Sequence, residues 1–180
     1  GDTEVILYAY MEYGPACVSL LNGIFAFAIW DGRARQLVLC RDRLGVKPLF
    51  YALRGGQLVF GSEIKALFQH PDVSPRADAD SFREILAVGP ARTPGNGVFQ
   101  GIREVRPGCL AVFSQDGFHE QSYWTLEASP HTDSYEETVE RVSFLVRDAI
   151  RRQMVSDVPV CSFLSGGLDS SIVTAEAAAW

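Results

Sequence analysis

The chain has 180 residues, of which 47% are hydrophobic and 21% charged, with a formal net charge of −6. That length and apolar content suffice for one domain or one domain and part of another. The acidic balance gives no reason to expect nucleic acid or an anionic membrane as partner, and the longest apolar run, Ile24 to Trp30, is far too short to span a bilayer.

The first helix is expected over Thr3 to Tyr13, where Val5, Ile6, Ala9 and Tyr10 recur at helical spacing and Gly14-Pro15 stops the run. Gly23 to Trp30 is apolar on both faces and reads as a buried strand. Asp31-Gly32 turns it into a return strand, Gln36 to Arg41. Gly45 and Pro48 interrupt before a strand from Leu49 to Leu53, and Gly55-Gly56 turns that into Leu58-Val59-Phe60. Short helices follow at Glu63 to Phe68 and Ala79 to Ala87, with Thr93 to Gly101 as loop. Gly108 to Phe113 and Phe118 to Tyr123 form a last hairpin around Asp116-Gly117.

A polar linker, Glu127 to Asp133, separates this part from the rest. Ser134 and Glu137 make a capping box for a helix whose stripe is Tyr135, Val139, Val142, Val146 and Ile150. Arg147, Arg151 and Arg152 oppose its negative end. Val158 to Leu164 reads as a strand, Ser165 to Ser171 as a Gly-rich loop, and Ser170 to Trp180 as a helix. The expected organisation is therefore a strand-rich α+β part over residues 1–128, and then, over residues 129–180, the first unit of a parallel α/β sheet.

Neither the cysteines nor the histidines suggest a metal or a disulfide. Cys17, Cys40, Cys109 and Cys161 include no CxxC pair and read as reduced, buried thiols; His70, His119 and His131 match no metal-ligand spacing. No signal peptide opens the chain, since Asp2 and Glu4 stand where a basic region should be. A cytoplasmic setting is expected.

The chemistry points to Ser165-Gly166-Gly167-Leu168-Asp169-Ser170-Ser171. Two glycines let backbone approach a ligand, a helix N-terminus behind them favours phosphate, and three serines add donors. Asp169 would repel phosphate directly, so its sensible role is through Mg²⁺. The loop lacks the Lys of a Walker A motif, and an ordinary Gly-Gly turn with a Ser cap is the competing reading.

Leu164 to Ser171 resembles the pyrophosphate-binding loop of the N-type ATP pyrophosphatases, and the lead-in Ser156-Asp157-Val158-Pro159 narrows this to glutamine-hydrolysing asparagine synthetases. Asn22 to Asp31, Arg41 to Leu49 and Phe60 to Leu67 are similar to segments of that family's class II glutamine amidotransferase domain. The resemblance implies a four-layer αββα N-terminal-nucleophile sandwich over residues 1–128. A truncated ATP pyrophosphatase domain follows over 129–180. Glutamine, aspartate and ATP would be the substrates, and asparagine the product through a β-aspartyl-adenylate. ATP would be held by Leu164, Ser165, Gly166, Gly167, Leu168, Asp169, Ser170 and Ser171, with Asp169 meeting Mg²⁺. Asp2 would hold the glutamine α-amino group, a role compatible with capping the first helix.

The nucleophilic Cys, the glutamine-binding Arg and the oxyanion-hole Asn-Gly pair of the family lie upstream of Gly1, so the chain reads as an internal fragment with no catalytic nucleophile of its own. Taken alone it is expected to release no ammonia from glutamine, and its uncovered apolar faces invite self-association. A related ligase acting on another carboxylate, such as a β-lactam synthetase, and a non-catalytic binding remnant compete with the first reading. Arg41-Asp42-Arg43 is either a charged hairpin end or a structural network beneath the glutamine pocket, with no catalytic role.

Overall fold

The computed structural model describes residues 1–180. The chain forms two compact units, Gly1–Glu127 and Ala128–Trp180, described separately.

The first unit opens with α1, Asp2–Tyr13, which ends at Gly14 in the left-handed region (φ 59°) and passes into a 3₁₀ segment, Gly14–Leu20. That segment had no periodic signal, because Pro15 and Cys17 look like the close of a helix rather than a new turn. Seven strands follow: β1 Ala26–Asp31, β2 Gln36–Arg41, β3 Phe50–Arg54, β4 Gln57–Gly61, β5 Ile102–Glu104, β6 Cys109–Ser114 and β7 Gly117–Ser122. Between β4 and β5 lie α2, Ile64–Leu67, and α3, Ala79–Val88. The strands form two antiparallel sheets, β1-β2-β6-β7 and β4-β3-β5.

Strand alternation builds the layers. On β2, Leu39 joins Tyr51 of β3 and Ala111 of β6 in a core between the two sheets, with Leu37 against it. The intervening Val38 and Cys40 face the other way: Val38 packs with Tyr10 of α1 and Cys17, and Cys40 with Val18. On β3 the same alternation sends Phe50 and Ala52 to Leu67 of α2. The order is therefore α1, first sheet, second sheet, α2: an αββα sandwich.

The expected strand from Gly23 to Trp30 was to be buried on both faces. Its regular part, β1, is instead the edge of its sheet, so Ile29 is buried while Trp30 is exposed. β5 lay in sequence that had no assignment, since three residues are too few for alternation to show.

In the second unit α4, Tyr135–Gln153, starts at the expected capping box: Ser134 Oγ accepts from the Glu137 N–H (3.3 Å), and Glu137 Oε2 accepts from the Ser134 N–H (2.9 Å). Of its apolar stripe only Ile150 is buried. α5, Leu168–Ala178, begins two residues before the expected start and is tied to α4 by Arg147 Nε to Glu176 Oε1 (3.0 Å). The expected strand at Val158 to Leu164 does not form. A strand exists through its ladder, and this unit offers no second strand to receive those backbone groups. Cys161, expected to be a buried thiol of that strand, is accordingly exposed.

Candidate functional site

The Gly-rich loop sits where a nonregular segment runs into the N-terminus of α5. Gly166 adopts φ 84°, a left-handed turn that favours glycine, and Gly167 takes an ordinary φ of −81° as the residue before the helix. A Cβ at Gly166 would meet nothing within 4 Å, and one at Gly167 only the Ser165 Oγ at 3.8 Å. The glycine face is thus open, and no packing within the protein requires glycine at 167. The first turn of α5 supplies N–H groups without intrahelical partners.

The serines hold the loop in a set shape. Ser165 Oγ and Ser170 Oγ share a hydrogen bond of 3.0 Å, while Ser170 and Ser171 hydroxyls both donate to the Gly167 carbonyl (3.1 and 2.8 Å). Asp169, in the first turn of α5, engages no ion pair or hydrogen bond through its carboxylate. Leu164 and Leu168 flank the loop and are exposed. Of the eight residues from Leu164 to Ser171, all are exposed except Ser170, which is half-buried. The free backbone N–H groups of the first turn suit phosphate oxygens, which the serine hydroxyls reach only on leaving their present partners, and the free carboxylate suits a hard cation that keeps its other ligands from phosphate and water. No cluster of three or more His, Cys, Asp or Glu side chains that could hold a metal occurs in the chain, at this loop or elsewhere.

Asp2 lies in the other unit, as the first residue of α1, with Gly1 rather than Asp2 at the cap position. Its Oδ1 accepts from the Thr3 N–H at 2.7 Å. The side chain is exposed, and Oδ2 engages no partner.

The Arg41-Asp42-Arg43 cluster is a structural network. Arg41 is buried and donates to the carbonyls of Lys47, Val105 and Gly45, each at 2.8 Å, and pairs with Glu104 at 3.1 Å. Asp42, also buried, accepts from the N–H groups of Leu44, Val46 and Lys47. Arg43 donates to the carbonyls of Leu21 and Ser19. Together they shape the turn from β2 to β3.

Cys17, Cys40 and Cys109 are buried, and burial pushes all three thiols up from the ordinary value, away from the nucleophilic thiolate. A feature that sequence reasoning missed is a polar cavity of about 670 Å³, lined by the start of α3, the 94–101 loop, β5 and β7. The only sequence signal for it was the Pro94-Gly95-Asn96-Gly97 turn; within that loop Val98 takes φ 67°.

Comparison with known proteins extends both units. A glutamine amidotransferase domain model matches residues 1–124, and an asparagine synthase model matches residues 141–180. The chain is 55% identical over 177 residues to a glutamine-hydrolysing asparagine synthetase of Bacillus subtilis, covering 98% of this chain and 29% of that protein. It is 34% identical to a putative asparagine synthetase of Methanocaldococcus jannaschii, covering 96% of this chain and 34% of the relative. It is likewise 34% identical to the amidase chry2 of Gibberella zeae, covering 96% of this chain and 26% of that protein. The chain thus spans about a third or less of each of these relatives. Through its αββα sandwich and a family match over most of its length, the chain belongs to the glutamine amidotransferase domain family.

Proposed function

We propose that this chain is part of a glutamine-dependent asparagine synthetase of the cytoplasm, an ATP-dependent carbon–nitrogen ligase. The observation that carries the reading is the Ser165–Ser171 loop. It is an open, serine-lined phosphate cradle at a helix N-terminus, inside the segment that matches asparagine synthase and behind an amidotransferase domain. Unbonded thiols, three of them buried, fit a reducing compartment.

In that reaction the amidotransferase part hydrolyses glutamine to glutamate and ammonia. The aspartate β-carboxylate attacks the α-phosphorus of ATP, releasing pyrophosphate. Ammonia then attacks the acyl carbon of the adenylate, releasing AMP and giving asparagine. A carboxylate is a poor electrophile because its charge is delocalised, and the adenylate supplies the leaving group that it lacks.

Within this chain, the Gly166 and Gly167 backbone and the Ser165, Ser170 and Ser171 hydroxyls would cradle the phosphates, with Leu164 and Leu168 against the nucleotide. Asp169 would hold Mg²⁺, which supplies charge neutralisation as pyrophosphate departs. Asp2, with one carboxylate oxygen still free, would take the α-amino group of glutamine. The 55% identity to a synthetase, against 34% to the fungal amidase, favours aspartate over another carboxylate.

The test uses a full-length enzyme carrying these residues. It runs aspartate- and ATP-dependent pyrophosphate release beside glutaminase activity. Asp169→Ala and Asp169→Asn are expected to abolish the first and leave the second intact. Gly167→Ala should also fail in pyrophosphate release while folding normally, because its φ and surroundings accept a methyl group until phosphate must approach. Normal pyrophosphate release by Asp169→Ala would remove the loop from the ATP site.

A further inference from the structure

The polar cavity of about 670 Å³ lies at β5 and β7, each the last strand of its sheet. Its walls come from residues 51–120, and they include neither Asp2 nor any residue of the Gly-rich loop. Tyr51 and Arg103 stand directly opposite one another on β3 and β5, so their side chains leave the same face. From the other sheet, the Phe118 ring stacks on Tyr51 with centroids 4.5 Å apart. Tyr51 is only 6% exposed, and its hydroxyl donates to no group of the protein. Glu104 Oε2 is the one sealed side-chain polar atom without a partner, so the Tyr51 oxygen keeps open surface, and the space it borders is the cavity. Burial pushes the phenol up from its ordinary value, so it remains a donor at neutral pH.

Most of the charged groups around the cavity are already matched. Asp80 pairs with Arg83, Glu120 with Arg106, and Glu104 with Arg41. Two are not: Arg103 engages no carboxylate, and Asp78 engages no cation. Asp78 Oδ1 accepts from the Ser81 N–H (2.9 Å) and hydroxyl (3.0 Å). These bonds hold the carboxylate below its ordinary pKa and leave Oδ2 without a partner. An unmatched cation and an unmatched anion on one cavity suit a guest that carries both charges. The 94–101 loop beside them is fixed in advance. Asn96 Oδ1 accepts from the Val98 N–H at 2.7 Å, and Arg54 donates to the Gln100 carbonyl at 3.2 Å. Walls set before binding lower the ordering cost that a ligand must offset.

The geometry points to a small-molecule site that takes a free amino acid as its zwitterion. The ligand carboxylate accepts from the Arg103 guanidinium and the Tyr51 hydroxyl, and the ligand ammonium donates to Asp78. The site is distinct from the residues assigned above to glutamine and ATP, and it does not need the synthetase reading.

The experiment titrates the 180-residue chain with each standard L-amino acid in turn, beside acetate and methylamine, and follows backbone amide resonances. At least one amino acid is expected to move the Ser81, Gly101 and Arg103 resonances to saturation. Acetate and methylamine, each lacking one charge, should bind at least about tenfold more weakly. Arg103→Gln should weaken the amino acid by about tenfold or more, and so should Asp78→Asn, which keeps the helix cap. Tyr51→Phe keeps the stack on Phe118 and should cost about two- to tenfold, the range of one neutral hydrogen bond. Asp80→Asn removes a carboxylate that Arg83 already occupies and should bind as the parent does. No shift at these resonances with any amino acid would overturn the site. So would shifts confined to the neighbourhood of Asp2, and acetate binding as tightly as the amino acid would overturn the zwitterion. In the full-length enzyme, calorimetry with the amino acid so found should show the same loss in Arg103→Gln. An affinity there that ignored Arg103 would mean that other parts of the protein fill the cavity, and the inference would fall.

Discussion

Arg41 and Glu104 sit on strands of different sheets, and their side chains are each only 6% exposed. The guanidinium satisfies three backbone carbonyls as well as the carboxylate, so the pair fixes the turn from β2 to β3 and joins the two sheets at once. Removing Arg41 leaves Glu104 buried with only the more distant Arg92, at 3.8 Å, as counter-charge, at a cost of about 3–5 kcal/mol. Arg41→Leu should therefore lower unfolding free energy by about that amount in urea denaturation; a loss under about 1 kcal/mol would mean the pair is solvated. From sequence, Arg41-Asp42-Arg43 could only be divided between a charged turn and a network. The deciding partner, Glu104, lies on a three-residue strand that leaves no periodic trace. The cysteines divide more simply. Cys17, Cys40 and Cys109 are buried with raised pKa values, so a thiol reagent at neutral pH should label Cys161 alone in the folded chain, and all four after unfolding. Labelling of Cys40 at the rate of Cys161 would contradict that burial. A folded pKa above the unfolded one leaves stability intact below the unfolded thiol value, and stability is lost as pH rises above it.

α3 turns its polar side inward. Ser81 and Glu84 are buried while Phe82, Ile85 and Leu86 are exposed, Leu86 at 83%. Two local interactions make this stable: the Asp78 carboxylate accepts from the Ser81 N–H, and Glu84 accepts from both the N–H and the hydroxyl of Thr93. The helix itself was legible, from the run following Asp78. Its orientation was not, because spacing shows which residues share a face and says nothing about which face the core takes. Leu86→Lys should then change stability by less than about 0.5 kcal/mol, whereas Glu84→Ala, which strands the Thr93 donors, should cost about 1–3 kcal/mol. Equal losses in thermal melts would put the apolar face inside. The segment from Val158 to Leu164 teaches the complementary lesson. Its β-branched residues suit a strand, yet propensity supplies no hydrogen-bond partner, and the segment stays irregular with Phe163 at 93% exposure. At this scale the hairpins were the most readable elements, since Gly55-Gly56 and Gly117 all take the positive φ that their turns require.

The apolar burial of the chain is uneven between its two units. All four core clusters lie within Gly1–Glu127, while Ala128–Trp180 buries only Ile150 among its hydrophobic residues. Hydrophobic stabilisation scales with the apolar area removed from water, at roughly 25 cal/mol per Å². The first unit therefore carries the larger part of that term, and the second rests on half-covered apolar side chains such as Val146 and Ile172, on helix caps and on the Arg147–Glu176 pair. β7 ends at Ser122, and Thr125 to Thr132 is exposed and without regular structure. Local opening should accordingly begin in the second unit and leave the sandwich intact. Limited proteolysis of the 180-residue chain should cut first between Thr125 and Asp133 or within Val155 to Leu164, and a fragment ending near Glu127 should persist. A polypeptide of residues 1–127 should melt at the temperature of the main transition of the whole chain, because every cluster that sustains it is present. If that polypeptide failed to fold, or melted well below the parent, contacts from residues 128–180 would have to contribute to the sandwich. The exposed stripe of Val139, Val142 and Val146 would then be the first place to seek them by substitution to Lys.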